Sequence, residues 1–123
     1  MGSGMSEDSV HQADFSDAVA ELLRAPFDAV LSDPNRLRIQ AALHGLRPDG
    51  SIRFTALGKT LGLSDGNLAA HLAVLSEVGY VSVAETFTGK RRTRWYSATA
   101  AGREAFESHV RALQVIVESS RDG

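Results

Sequence analysis

Residues 61–81 read LGLSDGNLAAHLAVLSEVGYV, and their spacing decides the fold. Just upstream, Phe54, Leu57 and Leu61 recur at i, i+3 and i+7, the stripe of a short amphipathic helix. Gly62 suits the position after its end, where a left-handed backbone costs a glycine nothing. Ser64 then suits the N-cap of a second helix, because its hydroxyl can accept an orphan amide three residues on, at Asn67. Leu68, Leu72 and Leu75 lie on one face at i, i+4 and i+7, and Gly79 ends the run. Only about three residues, one of them glycine, separate the two helices, which is the spacing of a helix-turn-helix.

Downstream the period changes to two. Tyr80, Val81, Val83 and the Thr86-Phe87 pair predict a strand, Thr88-Gly89-Lys90 a hairpin turn, and Thr93, Trp95 and Tyr96 the return strand. Thr99 caps a last helix whose stripe is Phe106, Val110, Leu113 and Val117, with Ile116 alongside. Upstream, Asp33 and Pro34 open a helix through Leu37, Ile39, Ala41, Ala42 and Leu43 that stops before Gly45 and Pro48. Ser51-Ile52-Arg53 is short and extended. Before that, Phe15, Val19, Leu22 and Leu23 predict a first helix from Asp14. Pro26 interrupts it, and Phe27, Val30 and Leu31 continue a short helical turn. The fold class expected is mainly α with a small β-hairpin wing (α+β), a winged helix-turn-helix. Residues 1–13 are expected to be a flexible N-terminus, with Met1 to Gly4 a cloning scar. Residues 14–32 form an N-terminal packing and dimerisation segment, 33–98 the winged core, and 99–123 a C-terminal dimerisation helix.

Composition narrows the function. At 123 residues, 43% apolar and 23% charged, the chain has an ordinary globular make-up. It has no cysteine, which excludes disulfides, thiolate zinc sites, iron–sulfur clusters and a cysteine nucleophile. Its apolar runs are far shorter than the ~20 residues that span a bilayer, and no charged-then-apolar leader opens it. The expectation is a cytoplasmic protein without a membrane partner. The net charge of −2 hides a split. Residues 1–33 carry seven acidic side chains against Arg24 alone, whereas residues 34–103 carry ten basic against four acidic. A basic middle of this kind suits a polyanion, although charge runs are often no more than solvated faces.

The stretch from Asp33 to Phe106 resembles the winged-helix transcriptional regulators of the MarR/ArsR type, in particular their small stand-alone winged helix DNA-binding domains. The residues that carry the likeness are Pro34-Asn35-Arg36-Leu37-Arg38-Ile39, the run from Leu61 to Val81, the hairpin TGKRRTRWYSAT from Thr88 to Thr99, and Ala100 to Arg103. The resemblance implies a dimer, a recognition helix opening at Ser64, a wing tip around Gly89, and transcriptional regulation.

The candidate reading helix shows Ser64, Gly66, Asn67, Ala70 and His71 away from its leucine face. Asn can pair with the N6/N7 edge of adenine, His can donate to guanine N7 or a phosphate, and Ala can touch a thymine methyl. The small residues let the backbone approach a groove closely. In the wing, Lys90, Arg91, Arg92 and Arg94 place four bases within five residues. Their mutual repulsion opposes folding, so a polyanion is the economical partner, and the helix-turn-helix beside the wing favours double-stranded DNA, met at phosphates or in the minor groove. Arg36, Arg38 and Arg53 are candidate backbone contacts. Arg36 stands near the positive end of its helix, which argues for an outside partner, though packing against the wing is an equal alternative.

The remaining features point away from chemistry. His11, His44, His71 and His109 lack an HxxxH pair, so no metal is expected. No strand-turn-helix nucleophile or glycine-rich phosphate loop is present, so no catalytic residue, cofactor or enzyme activity is expected either. The stripes Phe15, Val19, Leu22 and Phe106, Val110, Leu113, Val117 exceed what a small winged domain covers, and two-fold pairing would bury them. The sequence thus reads as a homodimeric, sequence-specific DNA-binding regulator, a repressor on an inverted-repeat operator, with room for an unknown small-molecule effector. The alternative is a winged-helix interaction module that holds an acidic protein.

Overall fold

The structure, a computed structural model, describes residues 16–24 and 27–122. Helix α1 spans Asp17–Arg24 and lies against the C-terminal helix. The next segment, residues 29–32, is a single turn where Phe27, Val30 and Leu31 suggest a short one. The Asp28 carboxylate opens it, accepting the amides of Val30 (2.9 Å) and Leu31 (3.0 Å). That turn delivers Leu31 into the core with no exposed surface.

Helix α2 spans Pro34–His44. Asp33 caps it as expected, accepting the amides of Asn35 at 2.9 Å and Arg36 at 3.1 Å, with Pro34 at its start. The Arg36 amide bond, chiefly, holds the Asp33 carboxyl below its ordinary range. At the other end Arg103 donates to the carbonyls of His44 (3.2 Å) and Arg47 (3.4 Å). Strand β1 is Ile52–Arg53, and helix α3, Phe54–Leu61, follows at once. Gly62 turns the chain at φ 67°, and the Leu63 amide donates to the Gly58 carbonyl (3.0 Å). Helix α4, Asp65–Glu77, is opened by Ser64, whose hydroxyl accepts the Asn67 amide at 3.3 Å. Leu68, Leu72 and Leu75 face inward, onto Ile39, Leu43 and Leu57.

Strands β2 (Val81–Thr88) and β3 (Arg91–Ala98) form the wing, and β1 pairs with β3, giving the order β1-β3-β2, antiparallel throughout. The turn is two residues, Gly89-Lys90, one shorter than expected. Helix α5 runs Ala100–Asp122. The Thr99 hydroxyl accepts the Gly102 amide at 3.0 Å, the cap expected of it.

Tyr80 lies just outside β2. Its main-chain carbonyl accepts the Thr99 amide (3.1 Å) and the Gln40 side-chain amide (3.2 Å), and its hydroxyl donates to Asp28. The carboxylate contact, then burial, pushes the phenol from 10.0 up to about 12. A folded value above the unfolded one means that this contact stabilises fully below pH 10 and is lost as pH rises toward about 12. Alkaline unfolding followed by circular dichroism should therefore show a drop in stability over that window in the wild type. Tyr80→Phe should lack that component and be weaker already at neutral pH. An unchanged alkaline profile would refute the coupling.

Candidate nucleic-acid interface

The exposed stripe of α4 carries Ser64, Gly66, Asn67 and Ala70, with His71 half-buried at its edge. Asn67 and His71 stand one helical turn apart. Nothing would meet a Cβ added at Gly66 within 4 Å, so the first turn of α4 is open to an approaching surface.

The basic residues divide into tethered and untethered groups. Arg36 donates through Nε to the Val30 carbonyl (2.8 Å), and its Nη1 lies 3.4 Å from His71 Nδ1 and 3.9 Å from an Asp33 oxygen. These contacts offset the helix-end repulsion that sequence alone associates with Arg36. Arg38 donates to the Leu61 carbonyl (2.6 Å) and to Asn35 (3.1 Å), tying α2 to the end of α3. The Arg53 guanidinium lies 5.8 Å from the Trp95 ring centroid, a cation–π contact. Lys90 and Arg91, at the wing tip, are exposed and form no ion pair among the described residues.

Arg92 and Arg94 are not at the tip. They point to one face of β3 and share Glu85 of β2, at 3.8 and 3.6 Å. The hairpin register sets Glu85 opposite Arg94, and counting back from a two-residue turn would have found the pair in the sequence. With side chains 40–52% exposed, such pairs are worth little, about 0–1 kcal/mol, and an anion can displace them. Phe87, opposite Arg92 and 65% exposed, lies on the same face. Between this face and α4 runs an open groove of about 720 Å³. Ala69, Ala73 and Ser76 form one wall, Arg92 and Arg94 the other, with Arg53 at its edge. Arginines along one wall of such a groove can pair with phosphate oxygens.

The expected dimer stripe is divided. Phe106 packs on its own chain's core, 4.7 Å from the His44 ring. Val110 is half-buried, whereas Leu113 and Val117, with Ile116 alongside, are 38%, 51% and 41% exposed. Phe15 and the side chains of Val19 and Leu22 lie outside the described residues. Among the described residues no three His, Cys, Asp or Glu side chains are grouped to hold a metal ion, and no helix is long and apolar enough to cross a membrane.

A reading helix, a basic hairpin beside it and a groove between them define a winged helix-turn-helix nucleic-acid-binding protein. The chain belongs to the family described as winged helix DNA-binding domain, which it matches over residues 36–117, and its fold is that of MarR-type transcriptional regulators. The uncharacterized protein MJ0432 of Methanocaldococcus jannaschii is 35% identical over 75 residues, covering 61% of this chain and 78% of that one. The fold matches that of a transcriptional regulator homologue from Pyrococcus horikoshii OT3 with a TM-score of 0.67, at 24% identity, over 85% of this chain and 97% of that one. It also matches the heme sensor protein PefR of Streptococcus agalactiae, solved in complex with heme, with a TM-score of 0.66 at 14% identity, over 87% and 69% of the two chains.

Proposed function

We propose that the protein is a homodimeric repressor that reads an inverted-repeat operator. Helix α4 enters the major groove and presents Asn67 and His71 to base edges, with Gly66 and Ala70 allowing close approach. Lys90 and Arg91 at the wing tip, and Arg92 and Arg94 behind it, hold the flanking backbone or minor groove. The observation that carries this reading is adjacency: Ala69, Ala73 and Ser76 of α4 and the wing residues Arg91, Arg92 and Arg94 line one groove, and Gly66, Asn67 and Ala70 are exposed on that same helix. The apolar surface of Leu113, Ile116 and Val117 supports pairing through α5. Two reading helices related by a two-fold axis then meet successive major grooves about 34 Å apart. An apolar effector acting where α5 meets the winged core would change that spacing, a role supported by the heme-sensing description of PefR.

The test contrasts two variants on duplex DNA across a salt series. Each phosphate contact releases counterions, so log K falls with log salt at about −0.9 per phosphate. Arg91→Ala with Arg92→Ala should weaken all sequences alike and flatten that slope by about one to two units. Asn67→Ala should cost about 1–3 kcal/mol at the preferred site, relax one base pair and leave the slope unchanged. Loss of sequence preference in the arginine pair with an intact slope would reverse the roles. Unchanged DNA binding in both variants, each folded, would favour the interaction module that holds an acidic protein.

A further inference from the structure

Arg36 and His71 stand 35 residues apart in sequence, on α2 and α4, and meet with Nη1 3.4 Å from Nδ1. A guanidinium has donors and no acceptor. The imidazole nitrogen that faces it must accept, so Nδ1 is bare and the neutral ring carries its proton on Nε2. The arginine is held to this task. Its Nε is bonded to the Val30 carbonyl at 2.8 Å, and Asp33, which caps α2, lies 3.9 Å from the same Nη1. The guanidinium side chain is 21% exposed. His71 Nε2 has no partner among the described residues and is not among their buried unpartnered atoms.

We propose that Arg36 is a positioning residue. It sets His71 in the Nε2–H tautomer and so presents a hydrogen-bond donor to an acceptor on DNA, a purine N7 or a phosphate oxygen. This rests on the DNA-binding reading above and goes beyond it. Arg36 then acts through His71 and does not itself contact the backbone. A donor fixed in this way favours an acceptor and disfavours the N4 amino group of cytosine, which adds selectivity that the free imidazole, accepting or donating, would lack.

The experiment uses the full chain and a duplex selected from random-sequence DNA by the purified protein. Nitrogen-15 NMR of the free protein at alkaline pH should place the His71 proton on Nε2, and a proton on Nδ1 would overturn the proposal. Arg36→Met keeps an apolar stem but removes the donors. It should weaken binding about tenfold in the wild-type background and less than twofold in a His71→Gln background. Glutamine places an amide nitrogen near the Nε2 position with its own hydrogens and has no tautomer to set. A tenfold loss that persists in His71→Gln would mean that Arg36 serves the fold or DNA directly, overturning the proposal. The source of the acceptor is read with His71→Ala. Sensitivity to one 7-deazapurine in the wild type but not in His71→Ala identifies a base, and a flatter salt slope in His71→Ala identifies a phosphate. Neither effect would overturn the proposal. Failure of the wild type to bind any duplex would bring down the DNA-binding reading as well. Normal binding by Arg36→Met would bring down this inference alone.

Discussion

Gly102→Ala is expected to destabilise the protein by about 2–4 kcal/mol, although alanine is the better helix former. Gly102 is buried in the first turn of α5, where that helix docks onto the start of β2. A Cβ there would strike the Tyr80 carbonyl and come within 2.6 Å of the Gln40 side-chain nitrogen. That carbonyl accepts two hydrogen bonds, from Thr99 and Gln40, and cannot move without loosening them. Overpacking costs about 1–3 kcal/mol and each weakened bond about 1 kcal/mol, against about 1 kcal/mol gained in helix propensity. For a domain of this size the net loss lowers Tm by about 10 °C. Thermal denaturation followed by circular dichroism reads it directly. Gly66→Ala is the control, since nothing lies within 4 Å of its added Cβ. It should be neutral or stabilising by up to about 1 kcal/mol. A Gly102→Ala protein as stable as the wild type would mean that α5 can slide off the Tyr80 carbonyl without cost.

The second large effect concerns pairing. Leu113→Asp with Val117→Asp should convert the proposed dimer to single chains and weaken operator binding about a hundredfold or more, because the two half-sites would no longer be held by one linked molecule. The two positions are chosen for what the protomer leaves open. They are 38% and 51% exposed, so charges there cost the single chain little. In a closed apolar interface an unpaired carboxylate is costly enough to lower its own occupancy or open the interface. Val110 is a poorer probe, since it is half-buried within its own protomer and its loss would mix folding with pairing. Sedimentation at micromolar concentration should move from twice the chain mass to the chain mass, with the helical signal kept. A double variant that still sediments as a dimer would place the interface elsewhere. A wild type that sediments as a single chain and binds DNA would remove the dimer from the proposal.

Much of the architecture was legible locally. Asp33, Ser64 and Thr99 announced helix starts because a short polar side chain can reach amides two or three residues ahead. Gly62, Gly79 and Gly89 announced turns, and all three have positive φ. The change of period after Gly79 separated the wing from the helices. These signals act over a few residues and need no knowledge of the rest of the chain. The short turn after Phe27 follows the same local rule. There the Asp28 side chain accepts the amides two and three residues ahead, at Val30 and Leu31.

By itself, the sequence determined the order of elements, the inward leucines of the reading helix and the presence of a basic hairpin beside it. Tertiary structure decided which of those groups are free to meet a partner. Arg38 is tied to the end of a helix 23 residues away, Arg92 and Arg94 share a glutamate across the hairpin, and Phe106 turns to its own core. It alone set Arg36 against His71, and Gly102 against the Tyr80 carbonyl. The reason is physical. A cap or a turn is settled by backbone angles and reach within a few residues. A guanidinium's partner depends on how two helices cross, and that is fixed only when the whole leucine core closes.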